Sequence, residues 1–227
     1  MKKVIMMMFV LAFVFAMNVQ SVQATPILTL SDGVNTVIIS DGGVGDLNAT
    51  AGVILYSGLI GVFNINVTTG ITMPAIGTVT LPELDLNSVN VNSTGSGTLT
   101  IAFSETDFGP LAAGGFETWV GGTTAGSVSY NTYVDTDNTN ADIDSDAILI
   151  SSLGSFGPGA FSATDQTAIS PSSPFSLIAI ASITHTDPAQ TTSFDLDLHP
   201  VPEPSTLLLL GTGLVGIGIY RWRRMRK

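Results

Sequence analysis

Apolar and polar side chains alternate one by one in short runs along residues 25–200. Phe63, Ile65 and Val67 are interleaved with Asn64, Asn66 and Thr68. Leu99, Ile101 and Phe103 are interleaved with Thr98, Thr100 and Ala102, and Phe194, Leu196 and Leu198 with Ser193, Asp195 and Asp197. Successive side chains of an extended chain point to opposite faces, so each run predicts a strand with one dry face and one wet face. The same reasoning predicts strands over 28–31, 36–40, 53–57, 84–91, 117–120, 127–134 and 148–153. Residues 175–184 are apolar on both faces in the middle, where Leu177, Ile178, Ala179 and Ile180 follow one another. That predicts a strand at the centre of a sheet. Turn chemistry separates the runs, as in Ser31-Asp32-Gly33, Asp41-Gly42-Gly43, Gly95-Ser96-Gly97 and Gly157-Pro158-Gly159. Helical periodicity and a fixed repeat are both missing. The expectation is an all-β chain whose body is one antiparallel β-sandwich or jelly roll.

Both ends break the alternation. Residues 4–17 are apolar behind Lys2 and Lys3, and Val22-Gln23-Ala24 offers small or modest residues where a signal peptidase reads. Residues 1–24 therefore read as a signal peptide, helical in its apolar part and cleaved after Ala24. At the other end Val201, Pro202, Glu203 and Pro204 precede an uncharged run, 206–220. Arg221, Arg223, Arg224, Arg226 and Lys227 close it, with Trp222 among them. As a helix the run covers about 22 Å at about 1.5 Å per residue, short of a hydrocarbon core of about 30 Å. Trp222 and the arginine stems can bridge the difference at the interface. The basic cluster stays cytoplasmic by the positive-inside rule and the body lies outside, in agreement with the signal peptide. The resulting division is signal peptide 1–24, body 25–199, linker 200–205, transmembrane anchor 206–220 and basic cytoplasmic tail 221–227.

In order, spacing and position, Pro202-Glu203-Pro204, the apolar run and the terminal arginines resemble the PEP-CTERM sorting tail. The resemblance covers only the C-terminal segment. Tails of this kind are also called ice-binding protein C-terminal domains, a label for the tail and not for an activity. The resemblance implies an exosortase as partner, processing near the motif, and residence at the inner membrane with the body in the periplasm. Display at the cell surface or in an extracellular matrix or biofilm would follow, with exopolysaccharide as a candidate partner.

Charge sharpens this picture. The seven basic residues are the ones at the two ends, whereas all eighteen acidic residues lie between them. Such a body repels nucleic acid and excludes it as a partner. Divalent cations are its natural electrostatic partners. The absence of cysteine excludes disulfides, thiolate metal sites and a cysteine nucleophile. Closely spaced acids at Asp135, Asp137, Asp142, Asp144 and Asp146 make a candidate calcium loop, although Asn140 stands where an EF-hand needs glycine. Asp41 and Asp46, among glycines, read as a hairpin turn. His185 with Asp187 and His199 with Asp197 read as surface residues, and no nucleophile elbow accompanies them. Asn48, Asn66 and Asn92 stand in N-x-[ST] triplets. Few aromatic residues are available for a sugar-stacking cleft. The function expected is therefore a non-enzymatic surface or matrix protein. The alternatives are a calcium-dependent adhesive or carbohydrate-binding module and, behind it, a surface hydrolase.

Overall fold

The computed structural model describes residues 25–140 and 147–201, together with Thr212 and Arg221. The signal peptide with Ala24, the acids Asp142, Asp144 and Asp146, and the tail beyond Val201 except Thr212 and Arg221 lie outside the described residues.

Alternation becomes strand wherever the apolar set can be buried on one side. Twelve strands run β1 (Ile27–Ser31), β2 (Thr36–Ser40), β3 (Val53–Ile60), β4 (Phe63–Ile71), β5 (Leu84–Ser93) and β6 (Gly97–Phe108). They continue β7 (Phe116–Thr124), β8 (Ser127–Asp135), β9 (Ala147–Phe156), β10 (Gly159–Thr167), β11 (Phe175–His185) and β12 (Thr191–Pro200). They form two six-stranded sheets, one ordered β2-β1-β6-β11-β8-β9 and the other β10-β7-β12-β5-β4-β3. Every neighbouring pair is antiparallel. The chain crosses from sheet to sheet at most connections after β5, so each half of the sandwich depends on the other for its core. The all-β sandwich expected from the pattern is the fold observed.

The core lies between the sheets. Leu99, Ile101 and Phe103 of β6 and Leu177, Ala179, Ala181 and Ile183 of β11 face Leu84, Leu86, Val89 and Val91 of β5 and Phe194, Leu196 and Leu198 of β12. The doubly apolar strand β11 lies between β6 and β8, inside its sheet as predicted. At one edge Tyr130 meets Phe194 edge-on at 5.0 Å, and Phe156 stacks on Phe161 at 4.7 Å. These rings close the sandwich where β9 passes into β10.

Polar bridges cross the same core. Thr118 of β7 and Thr132 of β8 are 2.8 Å apart through their hydroxyls. His185 of β11 reaches Ser93 at 2.8 Å and Thr192 at 2.9 Å in the opposite sheet. Glu105 of β6 takes a hydrogen bond from the Thr72 hydroxyl just after β4. Each buried polar group thereby recovers part of the hydration it gives up. Thr192 also pairs with Thr124 at 2.7 Å.

The body extends further than its apolar run. Strand β12 continues through His199 and Pro200, opposite Glu117 and Phe116. Val201 still exchanges backbone hydrogen bonds with Gly114 and Gly115, at 3.0 and 2.9 Å. The ordered ladder thus reaches into the stretch assigned to the linker.

Candidate functional site

One tryptophan is placed against the usual logic of a strand. In β7 Phe116, Thr118 and Val120 are buried, while Trp119 among them is 42% exposed. The Thr118–Thr132 hydroxyl pair makes a threonine acceptable inside. Register then sends Trp119 to the wet face. Its ring lies along its own strand over Gly121: a Cβ there would stand 3.0 Å from ring carbons Cη2 and Cζ2. Glycine is what lets the indole lie down and present its other face. Across the sheet Trp119 is opposite Thr164 of β10 and Asp197 of β12, and Gly121 is opposite Ser162 and Asp195.

Around this platform the face is acidic and rich in hydrogen-bonding groups. Glu117 accepts bonds from Gln166 and from Thr164, the latter at 2.9 Å. Those bonds, Gln166 first, hold its carboxyl below the usual glutamate range. Asp195 accepts the Ser88 backbone N–H at 2.7 Å, at the bulge where β5 and β12 shift register. Asp85 faces Asp197 across the ladder. Burial raises Asp85 to about 6, with the neighbouring charges of Asp197, Asp195 and Glu83 adding to the effect. Burial and Asp197 likewise raise Glu83. His199 Nδ1 donates to Asp197 Oδ2 at 2.9 Å. Asp197 Oδ1 is buried and has no protein donor. An open cleft adjoins it, lined by Thr78, Leu81, Glu83, Asp197, His199 and Pro200. A flat aromatic face bordered by acceptors suits a ligand with many donors along a chain.

The cleft ends at Pro200, and there the C-terminal segment begins. Residues 200–226 match the family described as the PEP-CTERM protein-sorting motif. The chain carries a PEP-CTERM sorting tail. No curated protein matches it. Among the solved structures that resemble this chain at low identity are three. One is the carbohydrate-binding module TmCBM61 in complex with β-1,4-galactotriose: 10% identity, TM-score 0.34, 61% of this chain and 88% of that one. Another is the enzymatically active domain of tailspike protein 4 from bacteriophage CBA120: 10% identity, TM-score 0.31, 56% of this chain and 18% of that one. The third is the mannan-recognising module TmCBM27: 9% identity, TM-score 0.27, 65% of this chain and 98% of that one.

Asp135 is fully buried at the end of β8 and is taken up by its own loop. It accepts the Asp137 N–H at 3.1 Å, the Thr139 N–H at 3.3 Å and the Thr139 hydroxyl at 2.9 Å. Thr139 also donates to Asp137 at 3.1 Å. Among the described residues no three acids or histidines are grouped to hold a metal ion. Asp41 and Asp46 cap the turn after β2, accepting the N–H groups of Gly52 and Gly42 at 2.8 and 2.9 Å.

His185 corrects the expectation of a surface histidine. It is 1% exposed, packs on Phe63 with ring centroids 5.7 Å apart, and burial pushes its imidazole below 6.5. Its partners are Ser93 and Thr192, not the Asp187 carboxylate, because the turn after β11 carries Asp187 away to the surface. His199 does meet Asp197, both on strand β12. Among the described residues no helix is long and apolar enough to cross a membrane, and the run 206–220 lies outside them except for Thr212.

Proposed function

We propose that this protein is exported as a precursor and held in the inner membrane by its C-terminal segment, with the body in the periplasm. An exosortase then processes it for display at the cell surface or in the extracellular matrix. The observation that carries this reading is the junction at residues 200–201. The sheet still makes backbone bonds at Val201, and the sorting motif is matched from residue 200. Among the described residues the β-sandwich therefore runs up to the start of the sorting motif. The test compares intact masses of cell fractions from the wild type and from a variant with Pro202, Glu203 and Pro204 all replaced by alanine. The wild type should yield a surface or released product that begins at Thr25 and ends near the motif. The variant should stay in the membrane with its tail. Identical products from the two, or full-length cytosolic protein with its signal, would overturn the proposal.

The body itself we read as a binding module without catalytic activity, its ligand a polysaccharide held on the outer face of the sheet containing β7 and β12. The outward Trp119 beside an inward Thr118 supports this: the strand gives up burial of its largest ring and keeps that ring flat and accessible. Depletion of the protein on insoluble glycans, with Trp119→Ala alongside, tests it. Equal depletion of both proteins on every glycan would count against the face.

A further inference from the structure

We infer that the Trp119 face takes a cationic polysaccharide, a chain of hexosamine units carrying free amines. This rests on the saccharide reading above and narrows it. Glu83, Asp85, Glu117, Asp195 and Asp197 all lie on this face, along β7, β12 and β5 or at its border. His199 is their one basic neighbour there, and it is already bonded to Asp197. No lysine or arginine occurs between Lys3 and Arg221, so the body holds no other side-chain cation that could turn toward the face. A uronic or sulfated chain would set its own charges against these carboxylates with nothing to neutralise them. A neutral chain would satisfy hydroxyl acceptors and leave the charge unanswered.

An ammonium group answers three features at once. It pairs with the carboxylate of Asp197, about a third of whose side chain is open to solvent beside the cleft. It offsets the mutual repulsion of Asp85, Asp195 and Asp197. It is also attracted to the π-face of Trp119, the ring best suited to hold a cation. Amines repeat along such a polymer, and the acids recur along the sheet on successive rungs: Glu117 with His199, Trp119 with Asp197, Gly121 with Asp195. The sugar rings would stack on the indole while the amines reach the flanking carboxylates.

The test is calorimetric titration of the full chain in detergent micelles with four hexasaccharides: glucosamine, N-acetylglucosamine, cellohexaose and oligogalacturonate. The glucosamine hexamer should bind at least about tenfold more tightly than its N-acetylated form, the size of one good cation–π or ion contact. Oligogalacturonate should give no binding. About 0.5 M salt should weaken the amine hexamer and leave the neutral ones alone. Trp119→Ala should lose binding of every saccharide. Asp197→Asn, which keeps shape and removes charge, should weaken only the amine hexamer.

If a neutral hexamer binds as tightly as the amine, the amine inference fails and the saccharide reading stands. If no saccharide binds, both fail. Amine binding unchanged in both variants would mean diffuse attraction to an acidic surface and would also overturn the site.

Discussion

Replacing Glu105 by glutamine should make the protein more stable at neutral and alkaline pH and scarcely alter it in acid. Glu105 follows Leu99, Ile101 and Phe103 on the core face of β6 and is fully buried. Thr72 donates to one of its oxygens, while Oε1 has no partner. Burial, more than the nearby charges of Asp41 and Asp107, raises this carboxyl from 4.5 to about 7. The unfolded chain therefore loses this proton near pH 4.5 and the folded protein keeps it until about pH 7. The contribution to stability is complete below pH 4.5, declines between 4.5 and about 7, and stays low above that. A tenfold change in a protonation equilibrium is worth about 1.4 kcal/mol, so the decline amounts to about 3 kcal/mol.

Glutamine keeps the acceptor for Thr72 and cannot ionise. Urea unfolding of wild type and Glu105→Gln, followed by circular dichroism from about pH 4.5 to 8, isolates this residue because other titrating groups cancel in the difference. The variant's advantage should grow by about 3 kcal/mol across that range. A difference that stays constant with pH would show that Glu105 ionises in the fold as easily as outside it, and would refute the reasoning.

Further outcomes follow from other sites. His185→Ala should cost about 3 kcal/mol in urea unfolding, since it opens a cavity against Phe63 and strips partners from Ser93 and Thr192. The wild type should also lose stability as pH falls through 6.5, because the unfolded histidine takes a proton that the buried one resists; the variant should lack that component. Gly121→Ala should lift the indole of Trp119 off its strand, giving a red-shifted tryptophan emission and weaker saccharide binding with little change in melting temperature. Millimolar calcium should leave the melting temperature unchanged, because the loop's own donors already occupy the Asp135 carboxylate; a rise with calcium, reversed by chelation, would restore the calcium loop.

Strands that bury a full apolar row were legible in the sequence, and β11 could even be placed inside its sheet. Strand β10 was not. It is an edge strand, and only Phe161 and Ala163 turn toward the core, so it never shows a sustained alternation. The far half of β6 was missed for the opposite reason: Ser104 and Glu105 are polar yet buried, and composition alone reads such residues as the end of a strand. His185 escaped in the same way, since its partners Ser93 and Thr192 are contributed by strands distant in sequence. The Trp119 face was illegible because it depends on register. The sequence shows Glu117-Thr118-Trp119-Val120, and the structure buries Thr118, paired with Thr132, in one row with Phe116 and Val120. The scarcity of aromatic residues argued against a sugar-stacking cleft; the proposed face relies on one ring, which a glycine two positions along lets lie flat. The sorting tail was legible at once, because its chemistry is local.

The last strand is an interior one. Strand β12 is hydrogen-bonded to β7 on one side and β5 on the other, and the sorting motif starts at its final residue. Any pull on a body tethered by its C-terminus would run lengthwise along that strand. Bonds perpendicular to the strand on both flanks would then resist together in shear, instead of unzipping one by one from a border. A protein meant to stay attached in flowing or swelling surroundings would have its tow-rope fastened to a beam rather than to a hem.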